Sequence, residues 1–234
     1  KRQVCNHVKS QFAPHRAAIH KSKAKPEELE EDKIIPTNFG DKDVADHFIM
    51  GPGEHSVAND KVALVCYDRY THYLAMYPAP TKDTPETKKA LLTFFGPNCK
   101  PKVIFTDNSG ELKKACDDLG YAHDTSTPHR PQSNGVAERA VRRAKEGTAC
   151  QIQQSGMMAA WWNLAGPCYC CLYNFTELCV WLEEKWVTPY FARHGEHFLV
   201  QDIAPFGCEV NYKPSYPEYR KQEHAVGDKL RSAI

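Results

Sequence analysis

Apolar and polar positions divide the chain into a patternless start and a long patterned remainder. Residues 1–35 show no apolar period and close on Pro36, so weak order is expected there. Val44–Met50 reads as a first strand, ended by Gly51-Pro52-Gly53. Val62–Tyr67 is an unbroken apolar run, the pattern of a strand covered on both faces. Tyr73–Tyr77 is a further strand, and the polar turn Asp68–His72 makes the pair a hairpin. Thr84-Pro85-Glu86 starts a helix, with Thr84 as its capping hydroxyl. Ala90, Leu91, Phe94 and Phe95 give it a buried face, and Gly96-Pro97 stops it. Val103–Phe105 predicts a strand. Ser109 would cap a short helix with Leu112, Ala115, Cys116 and Leu119 inward, ended by Gly120. Tyr121–Thr125 predicts a fifth strand. A long helix from about Ser133 to Gln154 carries the stripe Val136, Ala137, Ala140, Val141, Ala144 and Thr148. A second helix over about Met157–Tyr173 should kink at Pro167. The order predicts an α/β fold, a mixed five-stranded sheet flanked by helices.

Composition changes this picture little. The 234 residues are 41% hydrophobic and 25% charged, with a net charge of +1. Net charge therefore neither demands nor excludes nucleic acid, and local clustering must carry that question. Residues 1–25 hold seven Lys or Arg and no acid; residues 27–32 hold five acids. The ten cysteines fall largely in apolar runs, Cys168, Cys170 and Cys171 among them, and read as reduced, buried and intracellular. No secretory leader is read at the start, and the apolar stretch Met157–Tyr173 is too interrupted for a membrane span. The sequon Asn174-Phe175-Thr176 is expected to be idle. Trp161 and Trp162 are expected to cover the core or a subunit interface.

The chemistry rests on carboxylates. Asp107 follows the Val103–Phe105 strand, at the end where open α/β sheets place ligands. Glu138 lies on the long helix opposite its Ala/Val stripe, and Asp46 lies in the first strand. Acids delivered from separate elements can share divalent ions for phosphodiester chemistry. The pattern alone leaves other readings open. Asp107 could cap the next helix, and Glu138 could pair with Arg142 at i+4. Asp46 competes with Asp41, Asp43, Asp60 and Asp68, of which Asp68 better suits the hairpin turn. Glu138, Arg142 and Lys145 share one helix face with Arg139 and Arg143 beside them, either a phosphate-binding surface or a solvated face.

Thr106-Asp107-Asn108-Ser109-Gly110-Glu111-Leu112 and Thr127-Pro128-His129-Arg130-Pro131-Gln132-Ser133-Asn134-Gly135-Val136-Ala137-Glu138-Arg139 resemble the integrase core of retroviruses and LTR retrotransposons. Thr188-Pro189-Tyr190 and Pro205–Val210 resemble the segment that follows this core in copia-type elements. The resemblance implies an RNase H-like fold and an Asp, Asp, Glu triad binding two Mg²⁺ or Mn²⁺ ions. By position the second acid is Asp107 and the third Glu138; Ala45-Asp46-His47 fits the first. Thirty residues lie between Asp107 and Glu138, fewer than in retroviral relatives, and four separate Asp46 from Gly51 where copia-type relatives usually have two. The resemblance carries DNA contacts to Asn134, Arg139 and Arg142, with Asn108 and Lys145 beside them. Cys5, near His7, His15 and His20, reads as the remnant of an upstream zinc module, without a zinc site in this chain.

The implied organisation is a linker over 1–35, a catalytic core over 36–195 and a truncated copia-type extension over 196–234. The chain reads as a piece of a polyprotein. The implied activity is metal-dependent 3′-end processing and strand transfer of element DNA into target DNA. The alternatives are a catalytically dead DNA-binding relic and an RNase H-type nuclease. Expected partners are DNA and further copies of the chain, with no membrane. Expected localisation is nuclear, and particle-associated before integration.

Overall fold

The computed structural model describes residues 34–125, 135–198, 203–212 and 231–233. Its centre is a five-stranded sheet of order β3-β2-β1-β4-β5. The strands are β1 (Asp43–Ile49), β2 (Val62–Asp68), β3 (Leu74–Ala79), β4 (Ile104–Thr106) and β5 (His123–Thr125). Antiparallel pairing joins β1 to β2 and β2 to β3, while β1–β4 and β4–β5 are parallel. The predicted hairpin and all five predicted strands are present, within a few residues of the expected bounds.

Strand alternation sorts the core into two layers. Ala45, Leu64, Cys66 and Ile104 face α1 (Thr84–Phe95) and α2 (Gly110–Leu119), where they meet Leu91, Phe94, Leu112 and Cys116. On the other face lie α3 (Gly135–Ser155) and α4 (Trp162–Thr176). There Phe48, Ala63, Val65 and Met76 pack on Ala140, Ala144, Trp162 and Tyr173. Both faces of β2 are covered, which is why its sequence is apolar throughout.

Two helix caps differ from expectation. Asp83, not Thr84, caps α1: its carboxylate accepts from the Glu86 N–H, and Thr84 and Pro85 form the first helical positions. A carboxylate also complements the partial positive charge of the helix start. Ser109 stands at the cap of α2, but its hydroxyl makes no capping bond. The Asp107 carboxylate instead accepts from the Ser109 N–H at 3.3 Å. The second long helix starts later than predicted, because a 3-10 turn over Ala159–Trp161 precedes it; Pro167 lies within it.

Small residues set the helix spacing on the α3–α4 face. A Cβ on Gly147 would enter the Tyr169 ring, and one on Gly166 would strike Met76 of β3. The backbones therefore approach more closely than any larger residue permits. Trp162 is buried against Phe48 with ring centroids 6.0 Å apart, and its indole N–H donates to the Glu54 carbonyl. The cysteine expectation was too broad. The nine described cysteines are free, and Cys66, Cys116 and Cys170 are buried, but Cys171 is exposed and the other five are part-buried. No described helix is long and apolar enough to cross a membrane.

Beyond α4, an antiparallel pair of short strands, β6 (Val180–Leu182) and β7 (Lys185–Val187), leads into α5 (Pro189–His194). Arg193 of α5 lies over the rings of Phe39 and Tyr73, at 3.9 and 4.3 Å from their centroids. Its guanidinium also donates to the Phe94 carbonyl at 2.7 Å. A last antiparallel pair joins β8 (Val210–Tyr212) to β9 (Arg231–Ala233).

Asn174 explains why its sequon should be idle. The side chain is buried, its carbonyl accepts from the Leu74 N–H, and its amide donates to the Leu74 carbonyl. It thus ties α4 to the outer strand of the sheet through groups that would otherwise lack partners. Asn174→Ala should lower unfolding stability by about 2–4 kcal/mol, since two buried backbone groups lose their bonds. Urea unfolding with an unchanged m-value would check this.

Candidate active site

Five aspartates compete in the first part of the chain, and their surroundings separate them. Asp41 is held near pKa about 2: burial opposes its ionisation, but Lys102 at 2.7 Å and the Thr37 and Asn38 N–H groups outweigh it. Asp60 is bound by the Ser56 hydroxyl and the Asn163 amide. Asp68 accepts from the Gly40 N–H and from the Thr71 N–H and hydroxyl, so it serves the hairpin turn as expected. Asp43 faces Asp68 across the β1–β2 pairing, and burial and that neighbour push its carboxyl well above the usual range. Neither Asp43 oxygen finds a hydrogen-bond donor. Protonated, it can donate to Asp68 instead. These four groups are committed to the fold.

Asp46 is different. Val44 and Phe48, two steps either side, pack on α3, so alternation turns Asp46 to that same face. Parallel pairing ends at Ala45↔Thr106, and the next step along both strands sets Asp46 beside Asp107. Phe105, two residues before Asp107, also packs on Ala137 of α3. Thr106 secures this strand end: its hydroxyl donates to the Asp107 carbonyl and lies 2.6 Å from His123 Nε2 of β5. Glu138 follows Ala137 and is exposed in the first turn of α3. Among the described residues neither Glu138 nor Arg142 takes part in an ion pair.

The charges of these groups act on one another. Asp46 is half-buried, and its pKa is raised to about 6. Burial is the largest cause; the carboxylates of Asp107 and Glu138 add to it, against the His47 N–H and Lys82. The three acids thus share one edge and one face of the sheet. They do not close into a ligand set, since among the described residues no three of His, Cys, Asp or Glu are grouped to hold a metal ion. Repulsion between like charges opposes closer approach. The donors are hard carboxylate oxygens, the set that suits Mg²⁺ or Mn²⁺ rather than a softer metal.

Of the expected DNA-contact residues, Asn108, Arg139, Arg142 and Lys145 are exposed. The Lys145 ammonium lies 5.0 Å from the Phe48 ring centre, on the face that carries Asp46. Arg143 is engaged elsewhere, donating to the Tyr173 hydroxyl at 2.6 Å. Asn134 lies outside the described residues, as do His129, Arg130, Ser133, Cys5 and His7.

Two residues near the acids, His47 and Lys82, have no role assigned from sequence. His47 turns to the opposite face of β1, where its Nε2 is 3.3 Å from the Thr87 hydroxyl of α1. Burial, aided by Lys82, lowers its pKa to about 4, so the imidazole is neutral. Lys82 itself precedes α1 and approaches Glu111 of α2 at 3.9 Å. Period-two alternation alone could have placed His47; nothing local marks Lys82.

Curated relatives are retrovirus-related Pol polyproteins of plant transposons. That of transposon RE1 from Arabidopsis thaliana is 24% identical over 185 residues, covering 75% of this chain and 12% of the polyprotein. The chain is a relative of retrotransposon Pol polyproteins. It spans a small part, 12%, of the polyprotein's length. A chain of the simian T-cell lymphotropic virus intasome, solved in complex with PP2A regulatory subunit B56 gamma, superposes with a TM-score of 0.50. The two are 18% identical, over 82% of this chain and 66% of that one. The integrase catalytic core domain of HTLV-2, solved in complex with magnesium, gives a TM-score of 0.49 at 15% identity, over 67% of this chain and 98% of that one. The mixed five-stranded sheet with helices on both faces is the RNase H-like fold of integrase cores. No protein-family model matches the chain.

The raised Asp46 pKa has a sign that can be measured. A carboxyl whose folded pKa is above its unfolded value favours folding while protonated, and this advantage fades as pH rises from about 4 to about 6. In ion-free buffer Asp46→Asn should therefore raise Tm above pH 6, by roughly 2–4 °C, and leave it unchanged at pH 4. Thermal melts of both proteins across this range check it.

Proposed function

We propose that this chain is the catalytic core of an LTR-retrotransposon integrase, with residues 36–195 as the functional unit. It would trim the 3′ ends of element DNA and join them to target DNA. The observation that carries the reading is the Asp46 carboxyl turned to one sheet face, coupled there to Asp107 and Glu138 from two other elements.

Asp46, Asp107 and Glu138 would hold two Mg²⁺ or Mn²⁺ ions, which when bound supply activation of the attacking oxygen and offset of charge at phosphorus. The sheet fixes Asp46 and Asp107 by backbone pairing. Glu138 is brought by α3, whose Ala137 is packed on Val44 and Phe105. Arg139, Arg142 and Lys145 on α3, with Asn108 and Asn134, would hold DNA phosphates without reading sequence. Attack by water would free a 3′ hydroxyl, and attack by that hydroxyl on target DNA would follow. Both steps exchange one phosphodiester oxygen for another and need no covalent enzyme intermediate. Two DNA ends must be joined together, so the working form would be a multimer, acting in the nucleus.

Strand transfer tests the reading, using an end-matched duplex and Mg²⁺ or Mn²⁺. Wild-type protein should join the duplex to target DNA, and Asp107→Asn should lower joining by more than about 10²-fold while DNA binding persists. If both proteins bind DNA and both are inert, the chain is a relic. The shortened Asp107–Glu138 interval is what favours that second reading. Cleavage of an RNA–DNA hybrid without joining would instead identify an RNase H-type nuclease.

A further inference from the structure

Lys82 lies at the same edge as the acids but reaches it from the α1–α2 side of the sheet. Three contacts fix its place. The Thr81 hydroxyl donates to Asp83 at 2.6 Å, and Asp83 caps α1 through the Glu86 N–H, so the backbone on both sides of Lys82 is fastened. The Thr87 hydroxyl meets His47, the neighbour of Asp46, and so sets the first turn of α1 against β1. Glu111, four residues after Asp107, is 3.9 Å from the Lys82 ammonium.

That pairing is loose. At 3.9 Å it includes no hydrogen bond, and both side chains are part-exposed, at 25% and 38%. An exposed pair of this length contributes little to stability. Yet Lys82 leads into the helix whose Thr87 meets His47, beside Asp46, and its partner Glu111 follows Asp107 by four residues, so the cation stands where both acid-bearing strands end. A lysine is suited to this, as a point charge with three rotatable donors on a flexible stem.

We propose that Lys82 binds a DNA phosphate at the edge of the acid site, leaving Glu111 as the DNA arrives. It would face the cations of α3 across the site, so that the backbone is held from both sides. Glu111 holds the ammonium until a phosphate replaces it. The inference rests on the integrase reading and adds to it a contact that the α3 motif does not contain.

The test is equilibrium binding of an end-matched duplex across salt concentrations, with Lys82→Gln, Lys82→Arg and Glu111→Gln. One lost phosphate contact should reduce the slope of log K against log salt by about 0.9 in Lys82→Gln, and Lys82→Arg should retain it. Glu111→Gln should tighten binding several-fold, the opposite direction, because the lysine is released. A purely structural pair would give matching losses in melting temperature for Lys82→Gln and Glu111→Gln, with unchanged slopes, and that result overturns the proposal. Joining assays on Asp107→Asn separate the two readings. An unchanged Lys82→Gln slope beside Asp107-dependent joining removes Lys82 alone. A reduced slope beside inert wild-type protein keeps Lys82 and removes the catalytic reading. Wild-type protein that binds no duplex removes both.

Discussion

Three steps of parallel pairing between β1 and β4 decide where the carboxylates meet. Asp43, Val44 and Ala45 pair with Ile104, Phe105 and Thr106, and only then do both strands present an aspartate. A slip of one residue would move Asp46 to the face that His47 now occupies, because side chains alternate. The register is held by what lies on each side of it. Ala45 and Ile104 are locked among α1 and α2 residues, and Val44 and Phe105 against Ala137. The position of the acids is therefore a by-product of the hydrophobic core, and a change in either layer reaches the site through the strands.

The third acid has a different support. Glu138 belongs to a helix whose place is set by close approach, at Gly147 against Tyr169 and at Ala140 and Ala144 against the sheet. Two of the acids are thus placed by strand pairing and the third by helix packing. Burial raises Asp46 and its carboxylate neighbours add to this, while Lys82 from the loop before α1 opposes it; Lys145 of α3 lies over the Phe48 ring on the same face. The arrangement favours whatever brings positive charge between the carboxylates.

Much of the fold was legible because its signals are local and redundant. The apolar run of β2, the Gly stops of α1 and α2 and the Ala stripe of α3 each say one thing. The α1 cap was misread because Thr84 and Asp83 both qualify, and sequence cannot tell which carboxylate or hydroxyl meets the Glu86 N–H. Motif resemblance marked Asp107 and Glu138 and fitted Asp46 as the first acid, but position alone did not choose Asp46 among five aspartates. What separates it is the pairing of the other four with Lys102, Thr71, Ser56 and each other, all contacts made through the fold. Lys82 was invisible for the same reason, since its meaning comes from Glu111 and His47, which are distant in sequence. The exposure of Cys171, next to buried Cys170, shows how little a run of one residue type says about which side faces inward.

Arg193 bears on how this protein can be shortened. Its guanidinium covers Phe39 and Tyr73 and holds the end of α1 through the Phe94 carbonyl. The three elements it touches open the fold, edge the sheet and close the first helix, yet Arg193 itself follows the last strand of the central sheet by almost seventy residues. A version trimmed at the end of α4 would keep the three site acids and every strand of the central sheet and still lose the lid over its aromatic floor. The stretch from 189 to 195 is thus masonry of the domain, not trailing sequence, and a minimal folded piece has to include it.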